Sequence, residues 1–185
     1  PILLGKVSDQ SVWRDAEAWW KKLCFQHVPK TTAVLTDPLL AELRNVGLDL
    51  PCKITLLFAW FHSARVGNVF TLKKEDLQLE PNGKCQIQWL RAKTVAKIGP
   101  YTTHSALPTD LAVVLSEWVR PLQSDQWIVP IKLKKDIFKK IGQRLKLMDP
   151  KHDLRALRRG SLQAMAQGGT DLDTLLTFSG HRSIH

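Results

Sequence analysis

Two histidines and an arginine in the last third of the chain have the types and spacing of a phosphate site. Lys151-His152-Asp153-Leu154-Arg155 opens an apolar-periodic segment, and residues three apart on a helix share a face. A second histidine, His181, follows Gly180 just past the next predicted helix. Two imidazoles and a guanidinium suit a phosphate whose negative charge grows during reaction. A helix start adds unpaired N–H groups and the positive end of the dipole. Arg155 can grip two phosphate oxygens at once, as a lysine cannot. A pair of imidazoles is also the beginning of a zinc site, but no third and fourth ligand stand at suitable spacing, so the expected chemistry is metal-free.

The elements that must position these groups can be read from periodicity and punctuation. Residues 11–27 predict a helix with Val12, Ala16, Trp19, Trp20 and Leu23 on one face, broken by Pro29. Asp37 and Pro38 start a second helix that stops at Gly47. Pro51 opens a third, whose run of apolar residues from Ile54 to Phe61 predicts a buried helix, and 66–72 a short further turn. Alternation over 76–79 and 85–90, around Pro81-Asn82-Gly83, predicts a hairpin, and 103–107 a third strand. Thr109 is the expected cap of a helix carrying Leu111, Val114, Leu115 and Trp118. In 134–148, Ile137, Ile141 and Leu145 face inward. Two last helices are expected over 153–166 and 171–178, the second with a Thr170…Asp173 capping box. The fold class is therefore α+β, mainly helical, with a small three-stranded antiparallel sheet.

Lys and Arg outnumber Asp and Glu by 27 to 17, leaving a net charge of +10, a surplus that favours a polyanionic partner. Much of it lies in one run: Lys132, Lys134, Lys135, Lys139, Lys140, Arg144, Lys146 and Lys151, opposed only by Asp136 and Asp149. A solvated face is the ordinary explanation of such a run, but its place just upstream of His152 fits contacts to a nucleic-acid backbone. Cys24, Cys52 and Cys85 stand far apart with no C-x-x-C pair, which argues against a disulfide framework and fits buried thiols in a reducing compartment. No apolar run is long enough to cross a bilayer. The chain starts at Pro1 without Met, as an excised domain would.

His152-x-x-Arg155 followed by Gly180-His181 resembles the C-terminal signature of the tyrosine recombinase (phage integrase) family, and the likeness extends over roughly residues 32–185. Ser63-Ala64-Arg65-Val66-Gly67-Asn68, then Leu72 to Leu77, is similar to the family's first arginine box, with Ser63 in place of the usual glycine and Asn68 in place of the usual acidic residue. An Asn can still accept a hydrogen bond from a guanidinium, without ionic pairing. The resemblance implies a catalytic domain over 31–185, lacking its C-terminal end, with 1–30 a linker helix or the remnant of a preceding DNA-binding domain. It implies Arg65, His152, Arg155 and His181 as the groups around the phosphate. It also implies a catalytic lysine between the second and third strands, for which Lys93 is the choice and Lys97 the runner-up, as general acid to the leaving oxygen. Arg158 and Arg159 read as surface charge, and His27, His62, His104 and His185 as ordinary histidines.

The activity that the resemblance implies is cutting and rejoining of double-stranded DNA by transesterification, without metal or cofactor. The protein would act as a dimer to tetramer on DNA, inside the cell in the nucleus or a bacterial cytoplasm, away from membranes. The family's nucleophilic tyrosine follows the Gly-His motif, whereas this chain's single tyrosine is Tyr101. The nucleophile then follows His185, comes from another protomer, or is absent. The alternatives are a DNA-binding module of the same fold that does not cleave, or a type IB topoisomerase-like domain.

Overall fold

The computed structural model describes residues 41, 47–93, 95–148 and 150–180, which lie within one compact unit, Ala33–Arg182. The expected helices over 11–27 and from Asp37, together with Cys24 and His181, lie outside the described residues.

The centre of the fold is helix α1, Leu50–Phe61, in which Cys52 and every residue from Ile54 to Trp60 are buried. A helix apolar on all sides must be surrounded. On α1 pack α5 (Lys134–Met148) and α6 (Leu154–Gln167). Asp49 caps α1 by accepting the Cys52 N–H at 3.1 Å, and Pro51 sits in the first turn, where a missing N–H costs nothing. After a corner at residues 62–65 comes the four-residue helix α2, Val66–Val69, shorter than the turn expected over 66–72.

The sheet has the expected three antiparallel strands in the order β1 (Leu77–Leu79), β2 (Lys84–Trp89), β3 (Tyr101–Ala106). Leu77 pairs with Ile87 and Ile87 with Thr103, while Trp89 pairs with Tyr101 at the open end. Cys85, Ile87 and Trp89 face the core, as the alternation predicts. The β2–β3 connection contains the short helix α3, Val95–Ile98.

Helix α4, Thr109–Val119, begins one residue before its expected cap position would allow: Pro108 is the N-cap and Thr109 already helical. Trp118 Nε1 donates to the Ile128 carbonyl at 2.8 Å, tying α4 to the following loop. In α5 the predicted stripe Ile137, Ile141 and Leu145 is buried. The final helix α7, Leu172–Ser179, is capped by Asp171, which accepts the Thr174 N–H at 2.8 Å and the Thr174 hydroxyl at 2.7 Å. Thr170 therefore has no capping role, because the next residue offers a carboxylate one position closer to the open N–H groups. Gly180 ends α7 in the left-handed conformation, turning the chain just before His181.

Candidate phosphate-binding site

Arg65 stands at the corner between α1 and α2, as the N-cap of α2 with extended backbone and an exposed side chain. The corner itself is buried. His62 and Ser63 are at most 1% exposed, and Ser63 has a φ of 47°, a conformation that favours glycine. Asn68 is also buried, with its Nδ2 unpaired. Its backbone N–H donates to the Arg65 carbonyl at 2.7 Å, but among the described residues its side chain makes no hydrogen bond to the Arg65 guanidinium, so it does not take up the ionic pairing of an acidic residue.

Helix α6 presents two different arginine faces. Leu157 and Ser161 are buried, and Arg158 lies beside them, half-buried, donating to the Ser179 carbonyl at the end of α7. Arg155 and Arg159 point to the solvent side, and Arg159 reaches Asp153 at 3.4 Å. Arg158 is thus not the surface charge that the sequence suggested. Burial first, and then the neighbouring charge of Arg65, push its guanidinium down to about 10, with Tyr101 acting in the opposite direction. At neutral pH it remains a cation. The charge of Arg65 thus bears on Arg158 from a distant part of the chain, and neither has a carboxylate partner among the described residues. Like charges in a partly desolvated setting repel unless an anion sits between them.

His152 is 3% exposed, and its Nδ1 has no partner among the described residues. Its Asp153 neighbour caps α6, accepting the N–H groups of Arg155 and Ala156 at 2.8 and 3.1 Å. The helix start expected to welcome phosphate is therefore already occupied by a carboxylate. Lys93 is exposed in the β2–β3 connection. That connection leaves the sheet at the Trp89–Tyr101 pair, whose rings stack at 6.1 Å, and Tyr101 is the residue that acts on Arg158. The side chain of Lys97, like all of His181, lies outside the described residues.

A third group escaped the sequence reading. His62 docks on the inner sheet face, with Nδ1 2.8 Å from Thr103 Oγ1 and Nε2 3.0 Å from Ser105 Oγ, and its ring stacks on Phe178 of α7 at 6.4 Å. Trp89 Nε1 donates to the same Thr103 hydroxyl at 2.9 Å. Burial, then the nearby His104, push the His62 ring down to about 3, so it is neutral. Cys85 lies 3.4 Å from His62 Nε2, and burial pushes the Cys85 and Cys52 thiols up to about 12. Both are inert, buried and free, as their scattered spacing predicts.

The basic run separates into distinct parts. Lys135, Lys139 and Lys146 are exposed on the side of α5 opposite its buried stripe, and Lys132 is exposed just before the helix. Lys140 instead bridges Asp49 at 2.6 Å and Asp136 at 2.7 Å. Lys134 lies over the rings of Phe138 and Phe70 at 5.7 and 6.0 Å, and Arg144 also has an interaction partner. Among the described residues no three His, Cys, Asp or Glu side chains form a metal-binding group, and no helix is long and apolar enough to cross a membrane.

No protein-family model and no curated protein sequence matches the chain. Solved structures do. The XerH site-specific recombinase bound to its difH substrate, in a pre-cleavage complex, superposes with a TM-score of 0.63 at 17% identity, over 83% of this chain and 47% of that one. The Tn1549 transposon integrase matches in complex with transposon right end DNA at TM-score 0.55 and 13% identity, over 83% of this chain and 58% of that one. With circular intermediate DNA it matches at 0.54, also at 13% identity and over 83% of this chain, and 59% of that one. The chain thus spans about half the length of these structures. Its mainly helical body with a three-stranded antiparallel sheet has a tyrosine recombinase/integrase-like fold.

Proposed function

We propose that the chain is the catalytic domain of a DNA recombinase that cuts and rejoins strands through a 3′-phosphotyrosyl intermediate. The observation that carries this reading is Arg158, half-buried against the end of α7 and within electrostatic reach of Arg65, with no carboxylate partner among the described residues, on a fold similar to DNA-bound recombinases. Two such guanidinium groups suit the non-bridging oxygens of a phosphodiester, whose charge grows as the phosphorus becomes pentacoordinate. Arg65 and Arg158 would hold that phosphate, with His152, Arg155 and His181 as further donors around it. A tyrosine phenolate would attack the phosphorus and displace the 5′-oxygen, which takes a proton from Lys93; the liberated hydroxyl reverses the step on rejoining. No metal or cofactor enters this chemistry. The partner is double-stranded DNA, met inside the cell, with two to four protomers on one DNA. The second reading is a DNA-binding module of the same fold that does not cleave.

The test is covalent capture of DNA when a tyrosine is supplied, either on a chain extended past His185 or from a second protomer. Arg65→Ala and Arg158→Ala should each lower adduct formation by about two orders of magnitude or more, the effect of removing one pre-organised donor, roughly 3 kcal/mol. Arg155→Ala on the solvent side of α6 should lower it less. Full adduct formation in Arg158→Ala would refute the assignment, and absence of any adduct with a supplied tyrosine would favour the non-cleaving module.

A further inference from the structure

Arg65 and Arg158 stand on two segments that are far apart in sequence, the α1–α2 corner and helix α6. A buried clasp fixes one against the other. Ser63 Oγ lies 2.6 Å from Ser161 Oγ, across 98 residues of sequence, and Ser161 Oγ donates to the Trp60 carbonyl at 2.5 Å. Both hydroxyls are buried, Ser63 at 0% and Ser161 at 3% exposure. Each serine has a single proton. Because Ser161 gives its proton to Trp60, Ser63 must donate to Ser161, a better acceptor than the Met165 sulfur 3.5 Å away. The two bonds therefore have one direction, Ser63 to Ser161 to Trp60, and lose their order if either hydroxyl is removed.

Two further observations belong to the same contact. Ser63 holds a φ of 47°, costly for any residue with a side chain, and the resemblance sets a glycine at this position. The hydroxyl is what a glycine would lack, and its buried hydrogen bond offsets the backbone cost. Beside it, a Cβ on Gly160 would come within 3.3 Å of the Trp60 ring, so α6 approaches α1 as closely as a glycine permits. Ser63 stands two residues before Arg65. Ser161 stands three after Arg158, on the neighbouring turn of the same helical face.

We infer that Ser63 and Ser161 are positioning residues, a hydrogen-bonded clasp that sets the spacing of the Arg65 and Arg158 guanidinium groups for one phosphate. This rests on the phosphate-pocket reading proposed above. Neither serine touches the phosphate; both act through the arginines.

Arginine Nε–H NMR of the 185-residue protein, titrated with inorganic phosphate, tests it without requiring cleavage. In the unaltered protein the Arg65 and Arg158 signals, identified by Arg→Lys substitution, should move along one binding curve. Ser161→Ala should weaken phosphate about threefold to tenfold, as loss of a buried hydrogen bond does, and split the two signals onto separate curves. Ser63→Gly suits the left-handed backbone and so keeps the corner folded; it should act likewise, and the double variant should be no worse than either alone. A single unshifted curve in folded Ser63→Gly or folded Ser161→Ala overturns the clasp while leaving the phosphate pocket intact. If neither arginine signal responds to phosphate in the unaltered protein, the pocket reading itself fails and the clasp's role falls with it.

Discussion

Arg158 and Arg155 lie one helical turn apart, yet α6 gives them opposite surroundings. The His-x-x-Arg spacing drew attention to Arg155, but Leu154, Leu157, Arg158 and Ser161 form the face that turns inward. A charge set among the apolar positions of a helix was the legible signal, since it must find a counter-charge or a ligand. His62 carried no such signal. Its partners Thr103, Ser105 and Phe178 come from elements brought to it only by tertiary packing. Its consequence is measurable. The folded ring titrates near 3, below the ordinary value near 6.5, so the unfolded chain binds a proton that the native state refuses. Stability from this group is fully present above about pH 6.5 and is lost as pH falls toward 3, by about 1.4 kcal/mol per pH unit. Denaturant unfolding of His62→Gln should show a slope against pH that is shallower by about one proton in that window. Equal slopes in the two proteins would show that His62 is not held neutral.

At the level of elements, α5 was the most readable part of the chain, because its apolar positions repeat without interruption. Its bounds, Lys134–Met148, and its buried stripe agree with the periodicity. The division of labour among its lysines was not readable, because Lys140 takes its role from Asp49, the cap of a helix 91 residues away. Asp136 and then Asp49 raise the Lys140 ammonium above its ordinary range, as befits a cation already committed to two carboxylates. Lys135, Lys139 and Lys146 have no such partner among the described residues and stay in solvent. Each of these three, changed to Ala, should lower the dependence of log DNA affinity on log salt by about 0.9, one released counterion per phosphate contact. Lys140→Ala should leave that slope unchanged and loosen the join between α5 and α1, seen as faster amide exchange at the first turn of α1. An equal salt effect from all four lysines would mean that the Lys140 bridge opens on DNA.

The whole molecule brings a basic helix, a half-buried arginine and a three-stranded sheet into one fold, while its only tyrosine serves that sheet. Tyr101 pairs with Trp89 in the ladder and stacks on its ring, an arrangement that fixes the phenol rather than freeing it to approach a phosphorus in line. Effective molarity collapses for a nucleophile held in the wrong direction. The 185 residues should therefore bind duplex DNA, with affinity falling steeply between low and moderate salt, and form no covalent adduct. Tyr101→Phe preserves the ring that Trp89 stacks against and should leave both the fold and DNA affinity unchanged. Mixing with a protomer that carries a tyrosine beyond the Gly180-His181 motif should produce an adduct on that protomer alone, located by mass spectrometry of the DNA-linked peptide. An adduct formed by the 185-residue chain alone, and abolished in Tyr101→Phe, would overturn this account and make the sheet tyrosine the nucleophile.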